Sequence, residues 1–180
     1  MSNKGHHTIK IVLTGPESSG KTSAAEALAQ RLNVPLVPEF ARFFVANLGR
    51  PYCRTDLEAI ARGQHTWEQW FLKPSPPLLI GDTDWTVLHI WEQYRFGENR
   101  SDGLVWQKGY PNPQPADLYL LCSPDIPWEP DPLREHPEER GILFDRYEQL
   151  LFETGARFTI LTGSHEKRLE TALASIEKLC

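Results

Sequence analysis

The chain is predicted to fold as an α/β domain, a five-stranded parallel sheet with helices on both faces. Three observations lead there. Short apolar, β-branched runs alternate with longer stretches whose apolar residues recur at helical spacing. The first such run passes directly into a glycine-bounded loop and then into an alanine-rich helix. A length of 180 residues suits one domain with a modest core. Strands alternating with helices imply a parallel sheet covered on both sides. Right-handed crossovers then gather the ligand loops at the carboxyl edge of that sheet.

In chain order, Ile9–Thr14 (IKIVLT) reads as the first strand and 21–32 as a helix with Ala25, Leu28 and Leu32 on one side. Residues 35–37 form a second short strand, and 40–48 a helix ended by Gly49 and Pro51. Thr55-Asp56-Leu57-Glu58 has the spacing of a capping box opening a helix to about Leu72. Residues 77–81 (PPLLIG) read as a buried strand and 84–96 as a helix; 97–115 is loop-like, rich in glycine, proline and asparagine. A strand at 117–122 precedes a proline-rich, charged excursion around 124–140. Residues 141–154 are helical, 157–161 form the last strand, and 165–179 the closing helix.

Composition narrows the function. A net charge of −5 disfavours nucleic acid as a partner. No apolar run approaches the roughly 20 residues of a membrane span, and the polar start of the chain lacks a secretory apolar region. Cys53, Cys122 and Cys180 form no C-x-x-C pair, so reduced thiols and a cytoplasmic setting are expected, with Cys122 in the core. The pair His6-His7 reads as a loose end rather than a metal site.

The chemistry enters at Gly15-Pro16-Glu17-Ser18-Ser19-Gly20-Lys21-Thr22, which matches G-x-x-x-x-G-K-[ST]. Average residue frequencies produce that pattern at roughly 4 in 100,000 positions, and here it sits between a strand and a helix, as a P-loop requires. Gly15 and Gly20 permit backbone angles other residues resist. The amides of Glu17, Ser18, Ser19 and the residues through Ser23 turn inward around a phosphate, reinforced by the positive end of the helix. Lys21 is expected to reach the β- and γ-phosphates of ATP, and the Thr22 hydroxyl to ligate Mg²⁺. The fold class is therefore a three-layer P-loop NTPase fold, and analogy with P-loop kinases gives the strand order 2-3-1-4-5.

Carboxylates follow at the next strand ends. Asp82 closes the third strand, placed to meet Mg²⁺ and the γ-phosphate; Asp84 lies two residues on, toward the acceptor. Either is a candidate to take a proton from a substrate hydroxyl, although a residue here also caps the following helix. Thr83, not glutamate, follows Asp82, which favours transfer to a bound alcohol over programmed hydrolysis. No guanine-reading N-K-x-D is present. Glu39 and Arg42 end the second strand; they are read as contacts for a sugar hydroxyl and the transferred phosphate, or as a surface ion pair. Arg134 and Arg140 in the excursion are candidate lid cations. Trp67, Trp70, Phe71, Trp85, Trp91 and Tyr94 flank the acceptor region, and Trp85 is the candidate to stack on a flat base or pyridinium. The turn 161–165 is expected against adenine, with Ser164 equally readable as a helix cap.

Taken together, T-G-P-E-S-S-G-K-T at 14–22, E-F-A-R at 39–42, D-T-D at 82–84, the P-W-x-x-D-x-L-R stretch at 127–134 and D-R at 145–146 resemble the nicotinamide riboside kinase domain of bifunctional NadR-type proteins. The resemblance covers nearly the whole chain, residues 1–180 as one kinase domain with no room for the adenylyltransferase or DNA-binding domains. It implies ATP-dependent phosphorylation of the 5′-hydroxyl of nicotinamide riboside, with Lys21 and Thr22 on ATP-Mg²⁺, Asp82 or Asp84 on the sugar, and Arg134 and Arg140 in the lid. Phe43 stands where the family often has an acid, and Pro38 where it often has an aromatic residue. A small-molecule kinase for this or another nucleoside is the expectation; a nucleotide-dependent switch or ATPase acting on a protein partner is the alternative.

Overall fold

The computed structural model describes residues 7–97, 104–130 and 138–179. Its five strands are β1 (Ile9–Thr14), β2 (Leu36–Val37), β3 (Leu78–Asp82), β4 (Leu118–Cys122) and β5 (Phe158–Leu161). They pair in parallel in the order β2-β3-β1-β4-β5, the predicted 2-3-1-4-5. The helices are α1 (Lys21–Leu32), α2 (Phe40–Ala46), α3 (Asp56–Leu72), α4 (Trp85–Phe96), α5 (Arg140–Glu153) and α6 (His165–Glu177).

Strand side chains alternate between two cores, as a two-residue period demands. Ile11, Leu13, Ile80, Leu120 and Cys122 face α1 and α6, packing on Leu28, Ala172 and Ile176. Val12, Tyr119 and Leu121 face the other way, onto Val87 and Ile90 of α4 and Tyr147 and Leu151 of α5. β1 and β4 are buried on both faces, which is why they read as continuous apolar runs. Burial pushes the Cys122 thiol up to about 11.

The predicted capping box at Thr55 does not form. The Thr55 side chain makes no cap bond, and Asp56 takes over the turn, accepting from the Cys53 N–H at 2.8 Å and pairing with Arg50 at 2.7 Å. Within the stretch expected to be loop, 97–115, the described residues 104–115 carry a 3-10 turn (Val105–Lys108) that packs against α3 and bury Trp106 and Tyr110. The approach is close enough that a Cβ on Gly109 would lie 2.1 Å from the Glu58 carbonyl oxygen. Glycine and proline content marked this segment as loop, while its two aromatic anchors determine where it lies.

Buried charges tie the helices to the sheet. Lys10 Nζ donates to Glu68 Oε2 at 2.8 Å, and the Tyr110 hydroxyl donates to the same oxygen. Arg54 meets Glu92 at 2.7 Å. Removing one partner of such a pair leaves an uncompensated charge, at a cost of about 3–5 kcal/mol. His7, expected to be a loose end, lies 3.2 Å from Asp117.

Gly109→Ala places its new methyl group against backbone that has little room to move, and is expected to destabilise the fold by about 2–3 kcal/mol. Gly141→Ala, where a Cβ meets nothing within 4 Å, is the control. Urea unfolding of both variants checks the contrast; the Gly141 change should stay within about 1 kcal/mol of the parent.

Candidate active site

β1 ends at Thr14 and the chain turns across the carboxyl edge of the sheet before entering α1. Gly15 has φ +128°, and a Cβ there would sit 2.7 Å from the Cys122 carbonyl oxygen, so the loop runs against the end of β4 where a side chain has no space. Gly20 (φ 80°) and Ser18 (φ 52°) are also left-handed. The turns direct the loop carbonyls onto cations. Lys21 Nζ donates to Gly15 O at 2.9 Å and Pro16 O at 2.7 Å. Arg140 Nη1 donates to Ser18 O at 3.1 Å, and Arg168 Nη1 to Ser19 O at 2.8 Å. Carbonyls held in this way leave the amides of the loop for an anion.

Arg168, on α6, is buried and was not singled out in the sequence. It also donates from Nε to Gly163 O at 2.9 Å and from Nη2 to Ser123 O at 2.9 Å and to Asp125. One guanidinium thus joins the phosphate loop to the ends of β4 and β5. Asp125 in turn accepts from the Gly163 N–H at 2.7 Å. Ser164 caps α6, its side chain accepting from the Lys167 N–H at 3.3 Å.

Gly15 through Ser23 form one side of a cleft of about 440 Å³, and Glu39, Arg42, Arg50, Tyr52, Trp91 and Tyr147 are on its other walls. Glu39 and Arg42 therefore face the cleft together, 3.8 Å apart. Gln64 brackets them from behind: its Oε1 accepts from the Phe40 N–H at 2.8 Å and its Nε2 donates to Pro38 O at 3.3 Å. Tyr52 and Trp91 stack with centroids 5.8 Å apart at 28°, and the Arg95 guanidinium lies 4.1 Å over Tyr52. Tyr147 extends the helical row of Leu143, Leu150 and Leu151, and burial lifts its hydroxyl well above the ordinary phenol range. The sequence showed 141–154 to be helical; nothing in it marked the tyrosine as a wall of the cleft.

Asp82 sits behind Thr22 at the end of β3. Burial raises its carboxyl above the ordinary range, opposed by the hydrogen bond with Thr22 and the Lys21 charge. Its Oδ1 is buried without a hydrogen-bond partner. An orphaned carboxylate oxygen beside a threonine hydroxyl fits Mg²⁺, which takes one or two protein oxygens and completes its shell with phosphates and water. No group of three or more His, Cys, Asp or Glu side chains suited to a metal occurs among the described residues.

Asp84 and Trp85 lie elsewhere than the acceptor side of the cleft. Asp84 is 1 % exposed and is not part of the cleft wall. It caps α4, accepting from the Thr86 N–H at 2.9 Å, and takes a bond from the Tyr119 hydroxyl at 2.9 Å. Trp85 turns away as well, stacking on Trp106 at 5.7 Å. The strand-end turn rotates both residues into the layer of α3 and α4, so the aromatic wall falls to Tyr52, Trp91 and Tyr94. Trp67 packs on Phe40 and Trp70 is exposed, both outside the cleft. Of the excursion, Ile126 and Glu129 reach the cleft, and the Glu129 N–H donates to Ser18 Oγ at 3.0 Å. Arg140 lies 5.6 Å over the Trp128 ring. Arg134 and Cys180 lie outside the described residues.

A five-stranded sheet in this order with a glycine-rich loop after β1 is the P-loop kinase fold. The chain belongs to the AAA domain family, whose model matches residues 10–168. No functionally curated protein matches it by sequence. Among solved structures, the NadR protein in complex with NR aligns with TM-score 0.79 at 22 % identity, covering 96 % of this chain and 52 % of that one. NadR in complex with NAD and AMP-PNP aligns with TM-score 0.71 at 20 % identity, covering 95 % and 49 %. The chain thus spans about half the length of these NadR chains. Thymidylate kinase from Ehrlichia chaffeensis aligns with TM-score 0.69 at 16 % identity, covering 94 % and 98 %. The likeness read from the motifs is thereby matched in the fold. No helix among the described residues is long and apolar enough to cross a membrane.

The loop carrying Tyr52 is anchored by Asp56, whose carboxyl is held well below the usual range, first by its hydrogen bond from Arg50. A carboxyl depressed by folding adds stability above its unfolded value and loses it as pH falls. Asp56→Asn is therefore expected to lower stability at pH 7 and to make the acid limb below about pH 4 shallower. Urea titrations at several pH values check both effects.

Proposed function

We propose that this chain is an ATP-dependent kinase that phosphorylates the 5′-hydroxyl of nicotinamide riboside to give nicotinamide mononucleotide. The observation that carries this reading is the continuity of the cleft: the phosphate loop, a carboxylate–arginine pair and an aromatic wall share one space of about 440 Å³. A volume of this order suits small-molecule ligands. The fold it shares with NadR bound to NR, and with nucleotide kinases, supports the same class of chemistry.

In this reading, the triphosphate of ATP enters the ring of amides at 15–22, and Lys21 exchanges its loop carbonyls for the β- and γ-phosphate oxygens. Thr22 and Asp82 would hold Mg²⁺, which when bound neutralises charge on the phosphates. Glu39 receives a hydrogen bond from the sugar hydroxyl and keeps it in line with the γ-phosphate. Arg42 and Arg140 stabilise charge on the transferring group, and the same role is proposed for Arg134 on its place in the sequence. Ile126 and Glu129 border the loop and help to exclude water there. The cationic pyridinium lies against the Tyr52–Trp91 stack, where ring faces attract cations.

A panel of nucleosides incubated with ATP and magnesium tests the proposal. Nicotinamide mononucleotide should form, and Lys21→Ala should slow its formation by about 10²–10³-fold. Phosphorylation of a different nucleoside would move the acceptor while keeping the kinase. Steady ATP hydrolysis with no nucleoside product would instead favour a switch or ATPase.

A further inference from the structure

We propose that Asp84 is a positioning residue for the magnesium–nucleotide site: through a chain of hydroxyl groups it fixes the root of the phosphate loop against the strand end that carries Asp82. The proposal rests on the preceding reading in one respect, that residues 15–22 bind a magnesium nucleotide.

The chain of contacts can be followed donor by donor. Asp84 Oδ1 accepts from the Thr86 N–H at 2.9 Å and from the Thr86 hydroxyl at 2.8 Å, while Oδ2 accepts from the Tyr119 hydroxyl at 2.9 Å. A hydroxyl has one proton to give. Since that of Thr86 goes to Asp84, the 2.9 Å contact between Thr86 and Thr14 must be donated by Thr14. Thr14 and Thr86 are both fully buried. Thr14 is the residue immediately before Gly15, so the chain ends at the first residue of the phosphate loop. The Tyr119 hydroxyl, itself accepting from the Ala116 N–H at 3.2 Å, brings in β4. One carboxylate therefore ties β1, β4 and the β3–α4 turn together. Such chains strengthen one another in a dry interior and loosen together when one member is lost.

The turn that needs this support lies between the two aspartates. Thr83 has φ +80°, a left-handed conformation that a β-branched residue adopts only under constraint. A residue held there is strained and persists where its surroundings over-determine it. The Thr83 N–H bonds Leu13 O at 3.0 Å on one side, and Asp84 pins the chain on the other. Between them they hold Asp82 toward Thr22. Magnesium tolerates little error in the placement of its oxygen ligands, so the register of Asp82 against Thr22 governs how well the ion is held. Asp84 touches neither ion nor acceptor in this account.

The test is calorimetric titration of a non-hydrolysable ATP analogue, with magnesium and again with a chelator. The proteins are the parent chain, Asp84→Asn, Thr14→Val, Thr14→Ser and the double variant Asp84→Asn/Thr14→Val. Loss of either member should reduce the magnesium-dependent gain in affinity by about 10-fold or more, with a clearly smaller loss in chelator. The double variant should lose little beyond the larger single effect, because both act through one chain. Thr14→Ser, which keeps the hydroxyl, should retain most of the gain. Variants that keep the full gain, or that weaken binding equally with and without magnesium, would overturn the proposal. A parent chain whose affinity does not respond to magnesium would overturn the nucleotide reading, and the proposal with it. If Asp84→Asn does not fold, the near-isosteric Thr14→Val decides alone.

Discussion

The phosphate loop depends on where its own carbonyl groups are bonded. Gly15 and Pro16 are bonded by Lys21, Ser18 by Arg140 and Ser19 by Arg168, so four of the first five carbonyls of the loop rest on cations. A short segment cannot direct its carbonyls and amides to the same side, and fixing one set fixes the other. The two arginines come from α5 and α6, the last two helices of the chain. Closure of the loop is thus a long-range event, completed only when the C-terminal third of the domain has docked. Each carbonyl left buried and unpaired would cost about 1–3 kcal/mol, a large fraction of the net stability of a domain this size.

The same economy of charge runs through the cleft. The chain is acidic overall, at −5, yet Lys21, Arg42, Arg50 and Arg95 all line one space. Cations gathered in a cleft against an acidic background focus a local field on phosphate without making the whole surface attractive to polyanions. On the α3–α4 side of the sheet, Lys10 with Glu68 and Arg54 with Glu92 hold the helices in the positions from which Gln64 supports the Glu39–Arg42 wall and Trp91 lines the cleft.

Much of this was legible beforehand because it follows from local rules. β1 and α1 begin and end at the residues expected, since a β-branched run, two glycines and an alanine-rich face leave few alternatives. The sheet order followed from the motif by analogy. What escaped was set by tertiary geometry. Asp84 and Trp85 lie in a strand-to-helix turn, and a single left-handed residue, Thr83, rotates them out of the cleft; no periodicity encodes that rotation. Tyr52 was hidden in a proline-flanked loop whose path is set by the Arg50–Asp56 pair. Arg168 looked like any charge on a surface helix, because all but one of its partners are backbone carbonyls, which sequence does not distinguish.

The central claim is that the amides from Glu17 to Thr22 converge on a phosphate group. Hydrogen exchange of those amides, measured residue by residue with and without a magnesium-bound ATP analogue, tests it most directly. The account predicts strong slowing confined to the loop and the first turn of α1. Exchange that is unaltered there at saturating nucleotide would contradict it.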